Sequence, residues 1–320
     1  MMSAILGEGV SVERVAVDWP GPVELMDGET DADAVVYLQP QPGTLPDTDA
    51  VSTLVVFSRA DELGGGRVDA LVSARGLARR HARTSNGCQD VLAVSGLVAL
   101  AGATLTPDEA RLIASLSTLP RTEIDPLLLS ADRFATYPDP AAVALPTRLG
   151  LFGIRLSIAT ARRGLRSHDA LAAELLRASG ISDLRESITR NFVDRAPVLQ
   201  ALSALRAVDT VLREDPRPQL ANDLERLMTS AHEPRELLLL AALRTGRVSL
   251  GEHTEEALYL LGAHGTSPAT RLTLTNGDSY AAALHWRTLA ESPHHTTRER
   301  QAAHTITRTC EALITTGAVH

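Results

Sequence analysis

Leu54-Val55-Val56-Phe57 is an apolar run without a polar position on either side of its pleat, and it stops at once in Ser58-Arg59-Ala60-Asp61. Successive side chains of a strand point to opposite faces, so a strand apolar throughout must be covered on both. That predicts a central strand of a parallel sheet with helices above and below, over residues 53–57. Shorter β-branched runs at 15–17, 34–38 and 91–94 predict three more strands. Between the last two strands, Val68, Leu71, Val72, Arg75 and Leu77 recur at roughly helical spacing and predict a helix over 67–84. Strand, helix, strand implies a parallel α/β unit.

The pattern changes at Thr106. Thr106-Pro107-Asp108-Glu109 joins an N-cap threonine, a first-turn proline and early acids, and starts a helix toward Leu119. A proline-rich stretch at 137–146 separates this region from a helix expected over 149–166. Ser182 is read as the cap of a long period through Leu184, Ile188, Phe192, Leu199, Leu202, Leu205, Val208 and Leu212, kinked at Pro197. Further helices are expected at 219–228, 234–243, 254–261, 279–289 and 297–315. Aromatic residues make up only 3% of the chain, so the core must be filled by Ala, Leu, Val and Ile, and helix should dominate. The reading divides the chain into an incomplete α/β unit over 1–120 and a helical bundle over 121–320.

All 31 basic residues are arginines, for the chain holds no lysine, and its formal charge is −8. That charge argues against non-specific attachment to nucleic acid, so no nucleic-acid partner is expected. Two isolated cysteines, Cys88 and Cys310, suggest neither a disulfide framework nor a zinc site and read as cytoplasmic thiols. No leader pattern opens the sequence and no segment is apolar for 18 residues, which predicts neither export nor a membrane span.

The chemistry is concentrated at strand ends, where an α/β sheet places its ligands. Ser58-Arg59-Ala60-Asp61 matches the tetrapeptide with which GTPases read guanine. A carboxylate at Asp61 can accept two parallel hydrogen bonds from the N1 and N2 donors of guanine, which adenine cannot supply. The stem of Arg59 would cover one face of the base, and Ser58 would tie neighbouring loops together. The same four residues equally suit a helix start after a strand, with Asp61 capping it. Further on, the strand at 91–94 ends in Ser95-Gly96, where a GTPase places the backbone amide that reads guanine O6. Upstream, Asp18-Trp19-Pro20-Gly21 fits the Asp-x-Pro-Gly element, with Asp18 reaching magnesium through water and the Gly21 amide contacting the terminal phosphate.

A P-loop needs Gly-x-x-x-x-Gly-Lys-Ser/Thr, whose amides cradle phosphate and whose lysine neutralises it. With no lysine and only 17 residues before Asp18, the P-loop, its strand and the switch threonine are not expected here. Gly64-Gly65-Gly66 is no substitute, since it lacks the lysine and hydroxyl. A base held without its phosphates is a fragment-sized ligand, bound at roughly −4 to −6 kcal/mol. The strand at 15–17 must then pair with the strand at 34–38 or leave an edge for a partner.

Beyond these motifs, the stretches at 31–38, 56–70 and 73–75, followed by 127–134, 149–156, 232–237 and 242–244, resemble the actinobacterial dynamin-like proteins of the isoniazid-inducible type. The likeness runs over residues 14–250. It implies a GTPase head on a helical bundle: here, a partial P-loop GTPase-like α/β sheet followed by a mostly α-helical bundle, helix-dominated overall. It implies GTP or GDP with magnesium as ligands, self-association or pairing with a complete dynamin-like GTPase, and membrane remodelling at the inner face of the membrane. Since the P-loop is missing, the expected activity is a degenerate site with weak or no hydrolysis; the alternative is a non-catalytic scaffold, a pseudo-GTPase partner.

Other groups read more plainly. Arg155, Arg162, Arg163 and Arg166 beside Leu151, Phe152, Ile154, Leu156 and Ile158 could mark a basic helix lying on a membrane, but a core helix with an arginine-rich outer face explains them better. His294, His295 and His304 lack carboxylates or cysteines at ligand spacing and predict a solvated loop. His232-Glu233-Pro234-Arg235-Glu236 resembles a zinc-protease helix only superficially, having Glu236 where a second histidine is needed.

Overall fold

The structure is a computed structural model and describes residues 14–19, 21–26, 32–44, 49–63, 67 and 69–317; for 14–26 the description is of the backbone. Pro20 and Gly64-Gly65-Gly66 lie outside the described residues. β1 (Arg14–Trp19) and β2 (Gly21–Met26) form an antiparallel hairpin, Arg14 opposite Met26 and Trp19 opposite Gly21. β2 was not legible as a strand, because Pro22 and Glu24 interrupt its apolar positions. β3 (Val35–Gln39), β4 (Thr53–Phe57) and β5 (Asp90–Ala93) make a separate parallel sheet in the order β3-β4-β5. Of the two outcomes open to the strand at 15–17, the described strands show the second. β1 bonds its chain neighbour β2, the closure of least entropy, and β3 keeps an open edge.

α1 (Ala60–Leu63) follows β4, α2 (Ala70–Thr84) carries the chain to β5, and α3 (Gly96–Thr104) leads away from it. The rest is helical: α4 (Pro107–Leu116), α5 (Arg121–Leu127), α6 (Ala131–Ala135), α7 (Ala141–Arg162), α8 (His168–Ser179), α9 (Ile181–Asn191), α10 (Ala196–Glu214), α11 (Pro218–Ser230), α12 (Glu233–Arg244), α13 (Thr254–Leu260), α14 (Pro268–Arg271), α15 (Ser279–Glu291) and α16 (Thr297–Gly317). The chain is helix-dominated with one small parallel sheet.

β4 is buried from end to end. Val55 and Phe57 face one way, into a core with Ala70, Ala74, Ala78 and Ala82 of α2, Phe152 and Leu156 of α7, and Leu175 of α8. Leu54 and Val56 face the other, against Ile181, Leu184 and Ile188 of α9 and Leu199 and Leu202 of α10. Residues from both sides of position 120 therefore cover the sheet. A third core joins α4 to α8 around Leu116, Phe134, Leu145 and Leu171, and a fourth surrounds Trp286 with Leu240, Leu260 and Ile306.

Local chemistry explains most helix ends. Thr106 and Glu109 close a reciprocal capping box at the start of α4, each bonding the other's backbone amide. Three expectations are corrected. α9 starts at Ile181 behind a left-handed Gly180 (φ 83°) instead of a Ser182 cap. Pro197 opens α10 instead of kinking one long helix, because its missing N–H costs nothing in a first turn. The helix read from residue 149 begins earlier, at Ala141, runs through Pro146 and breaks at Gly150, whose φ 64°, ψ 166° suits glycine alone.

Candidate functional site at the strand ends

The chain leaves β4 and β5 in two loops stitched together by backbone. Val94 N–H donates to Phe57 O (2.9 Å), Ala60 N–H donates to Val94 O (3.3 Å), and Arg59 bridges Ser95. Ser58 binds the other neighbour, its amide and hydroxyl donating to Gln39 O of β3 at 2.8 and 3.3 Å. The sequence-predicted residues Ser58, Arg59, Asp61, Ser95 and Gly96 thus lie on adjoining loops at the C-terminal end of one sheet.

Their roles differ from one another. Ser58 ties β4 to β3, the loop-tying part expected of it. Arg59 lies on the surface and meets Glu62 at 3.4 Å, both side chains 62% exposed, a pairing that contributes little. Asp61 stands half-buried in the single turn of α1, and its carboxylate has no hydrogen bond or ion pair among the described residues. It is free to accept.

Ser95 is fully buried and its amide donates to Ser179 O (2.9 Å), while its hydroxyl caps α3 by accepting from Val98 N–H (3.4 Å). The Ser95 amide is therefore engaged. The amide of Gly96, first in α3, has no acceptor among the described residues, and a side chain added at Gly96 would meet nothing within 4 Å. Sequence reasoning missed the support behind this loop: the α8–α9 junction at Ser179-Gly180 holds β5 in place. A Cβ on Gly180 would stand 2.5 Å from Ala93 O, so only glycine lets the junction sit so close. The signal was a glycine between two helical periods.

Asp18 and Gly21 are not brought to these loops by strand pairing: they lie in the β1–β2 hairpin, Asp18 opposite Pro22, outside the parallel sheet. No group of three potential ligands is placed to hold a metal ion among the described residues. The magnesium reading of Asp18 draws no support from this arrangement. Cavities of about 450, 460, 220 and 530 Å³ are lined by residues other than these loops.

Both cysteines are buried, and burial pushes the Cys88 thiol up to about 11 and the Cys310 thiol to about 12, which disfavours their thiolates at neutral pH. Glu236, of the discarded zinc-protease resemblance, instead anchors a buried network. Its Oε1 accepts from Arg271 Nη2 (2.9 Å) and Thr309 Oγ1 (2.5 Å) and lies 3.3 Å from His232 Nε2. The arginines of α7 bind carbonyls that end neighbouring helices: Arg155 donates to Leu128 O and Arg162 to Ser117 O and Leu119 O. α7 is long and apolar enough to cross a membrane by length and composition, yet half of that stretch is buried within the fold.

The fold is a helix-dominated chain around a small parallel sheet, with the Asp61 carboxylate unengaged among the described residues. The isoniazid-induced protein IniC of Mycobacterium tuberculosis, in two strains, is 35% identical to this chain over 285 residues, covering 83% of the chain and 58% of the relative. The chain spans somewhat over half the length of these relatives. No protein-family model matches the chain, and no solved structure gives a significant match.

Proposed function

We propose that the chain is a dynamin-like protein with a degenerate nucleotide site, one that recognises a guanine base at Asp61 and hydrolyses GTP weakly or not at all. The observation that carries this reading is the free Asp61 carboxylate on a loop bonded to the one bearing the unengaged Gly96 amide. One acceptor for N1 and N2 and one donor for O6 are the polar complement of guanine's edge, so the residues suit the base. They do not supply a phosphate cradle, because the loops at Asp61 and Gly96 carry no Gly-x-x-x-x-Gly-Lys-Ser/Thr sequence. Bound GTP or GDP would supply only a base to be recognised.

Isothermal titration tests this. GDP and GTP bind alike, with Kd between tens of micromolar and millimolar, because the base supplies roughly −4 to −6 kcal/mol. ADP and ATP do not bind. Asp61→Ala removes two charge-assisted hydrogen bonds and weakens GDP about 10- to 100-fold, out of range. Equal binding of guanine and adenine nucleotides would sink the reading.

A second reading rests on a different observation, the open edge of β3, whose Val35 and Leu38 are each more than two-fifths exposed. On it the chain is a pseudo-GTPase scaffold that docks a complete dynamin-like GTPase in membrane remodelling, peripheral at the inner face of the membrane. Co-purification with a P-loop partner supports it, and a monomer indifferent to such a partner counts against it.

A further inference from the structure

At the opposite end of the sheet, near Asp90 at the start of β5, three arginines gather, and two of them form no ion pair among the described residues. Arg195 is only 8% exposed and has no ion-pair partner among the described residues. Its Nη2 donates to Leu261 O (3.1 Å) and Gly262 O (2.8 Å), capping the end of α13, but its Nε is buried with no acceptor. Arg190 Nε is buried and unpartnered as well, while its Nη1 reaches Glu186 at 3.3 Å. Arg244, likewise without an ion pair among the described residues, spends its donors on Asn191 Oδ1 (3.1 Å) and Ala263 O (3.0 Å). Burial and the charges of Arg190 and Arg195 hold the Arg244 guanidinium down at about 10, which shows how closely the three positive groups are crowded.

These side chains open on space. A cavity of about 220 Å³ lies between α9 and the 262–266 loop, walled by Arg190, Arg195, Asp194, Glu186, His264 and Thr266. A second, of about 530 Å³, adjoins it and is walled by Arg190, Arg244 and Asp90. Carboxylates act on the cluster from a distance, Asp90 and Glu186 on Arg244 and Glu236 and Asp194 on Arg195, without an ion pair to Arg195 or Arg244 among the described residues. The Glu186 side chain is 73% exposed and Asp194 is exposed, both at the rim, whereas Arg195 is at the base. Asp90 turns its carboxylate to its own strand, accepting from Val91 N–H (2.7 Å). The loop is shaped around the arginine: Gly262, at φ 76°, would place a Cβ 2.9 Å from Arg195 Nη2.

We infer that the smaller cavity is an oxyanion site for phosphate, free or as a monoester, held by the unspent N–H groups of Arg190 and Arg195. A tetrahedral dianion would accept from Arg195 Nη1 and Arg190 Nη2, which make no hydrogen bond among the described residues, and would offset the mutual repulsion of the guanidinium groups. The space is ample for a phosphate ion and a small ester substituent. β5 separates this cavity from the Asp61 loop by about 13 Å of strand, so the site is independent of the guanine reading.

The test is thermal unfolding and calorimetric titration of the full chain with inorganic phosphate and with glycerol phosphate, against sodium chloride at equal ionic strength. Phosphate binds with Kd near about 1 mM. At saturation it raises the Tm by roughly 5 °C over chloride. A response to inorganic phosphate alone identifies the free ion as ligand, and a stronger response to the ester identifies a monoester. Arg195→Gln abolishes the response. Because that variant loses a helix cap and can fail to fold, Arg190→Gln, at a side chain one-third exposed, carries the test independently and weakens binding about tenfold. Asp61→Ala leaves the phosphate response intact. A Tm no higher in phosphate than in chloride, or an undiminished response in Arg190→Gln, overturns the inference.

Discussion

At the scale of single residues, the chain repeatedly uses arginine where a shorter or softer cation would not serve. A planar guanidinium can cap a helix end and reach a carboxylate at once. Arg271 does so, donating to Leu260 O from Nε and to Glu236 from Nη2. Burial alone would raise the Glu236 pKa, but the hydrogen bond from His232, the charge of Arg271 and the Thr309 hydroxyl outweigh it and hold the carboxyl at about 2. A folded-state pKa below the unfolded value of 4.5 means stability that is complete above pH 4.5 and lost as pH falls through about 2. The difference is worth about 3 kcal/mol at neutral pH. Urea unfolding of Glu236→Gln should show that deficit at pH 7, and the gap from the natural chain should close as pH drops below 4.5. An unchanged gap at pH 3 would refute the linkage. Only the His232–Glu236 spacing was visible beforehand; the other partners, Arg271 and Thr309, come from α14 and α16.

At the scale of elements, α2 shows where reading by apolar spacing succeeds and where it misleads. The helix was expected over 67–84 and lies at Ala70–Thr84, but Val72, counted into its apolar pattern, is 69% exposed. The buried face is Ala70, Ala74, Ala78 and Ala82, spaced four apart, with Leu71 of the expected pattern beside them, and it packs in one core with Val55 and Phe57. Four alanines make most of that face small. Ala74→Leu should therefore overpack the interface and lower stability by about 1–3 kcal/mol, whereas Val72→Ala should stay within about 0.5 kcal/mol of the parent, both read by chemical denaturation. The reverse ranking would mean that α2 presents its other face to the sheet. α7 teaches a related lesson about Pro146 and Gly150. The proline was read as the end of a loop, but the helix tolerates it and yields at the glycine, where a reversed φ is free of steric cost.

At the scale of the whole molecule, the sheet is too small to stand alone. Three strands need helices on both faces: α7 and α8 share one face with α2, and α9 and α10 cover the other, all four from beyond residue 120. A fragment ending at residue 120 should accordingly give no cooperative thermal transition by circular dichroism, whereas the full chain does; a sharp transition in the fragment would show that its α/β part folds unaided. The sequence by itself determined the parallel strands at β3, β4 and β5, the helical remainder and the loop bearing Asp61, because strand burial, capping and turn chemistry act over a few residues. It could not determine that β1 would bond β2 away from the sheet, that the Ser95 amide would be taken by Ser179, or that Arg190, Arg195 and Arg244 would crowd one cavity. Those outcomes depend on which distant segments compete for the same donors and the same space, and that competition is resolved only when the chain closes on itself.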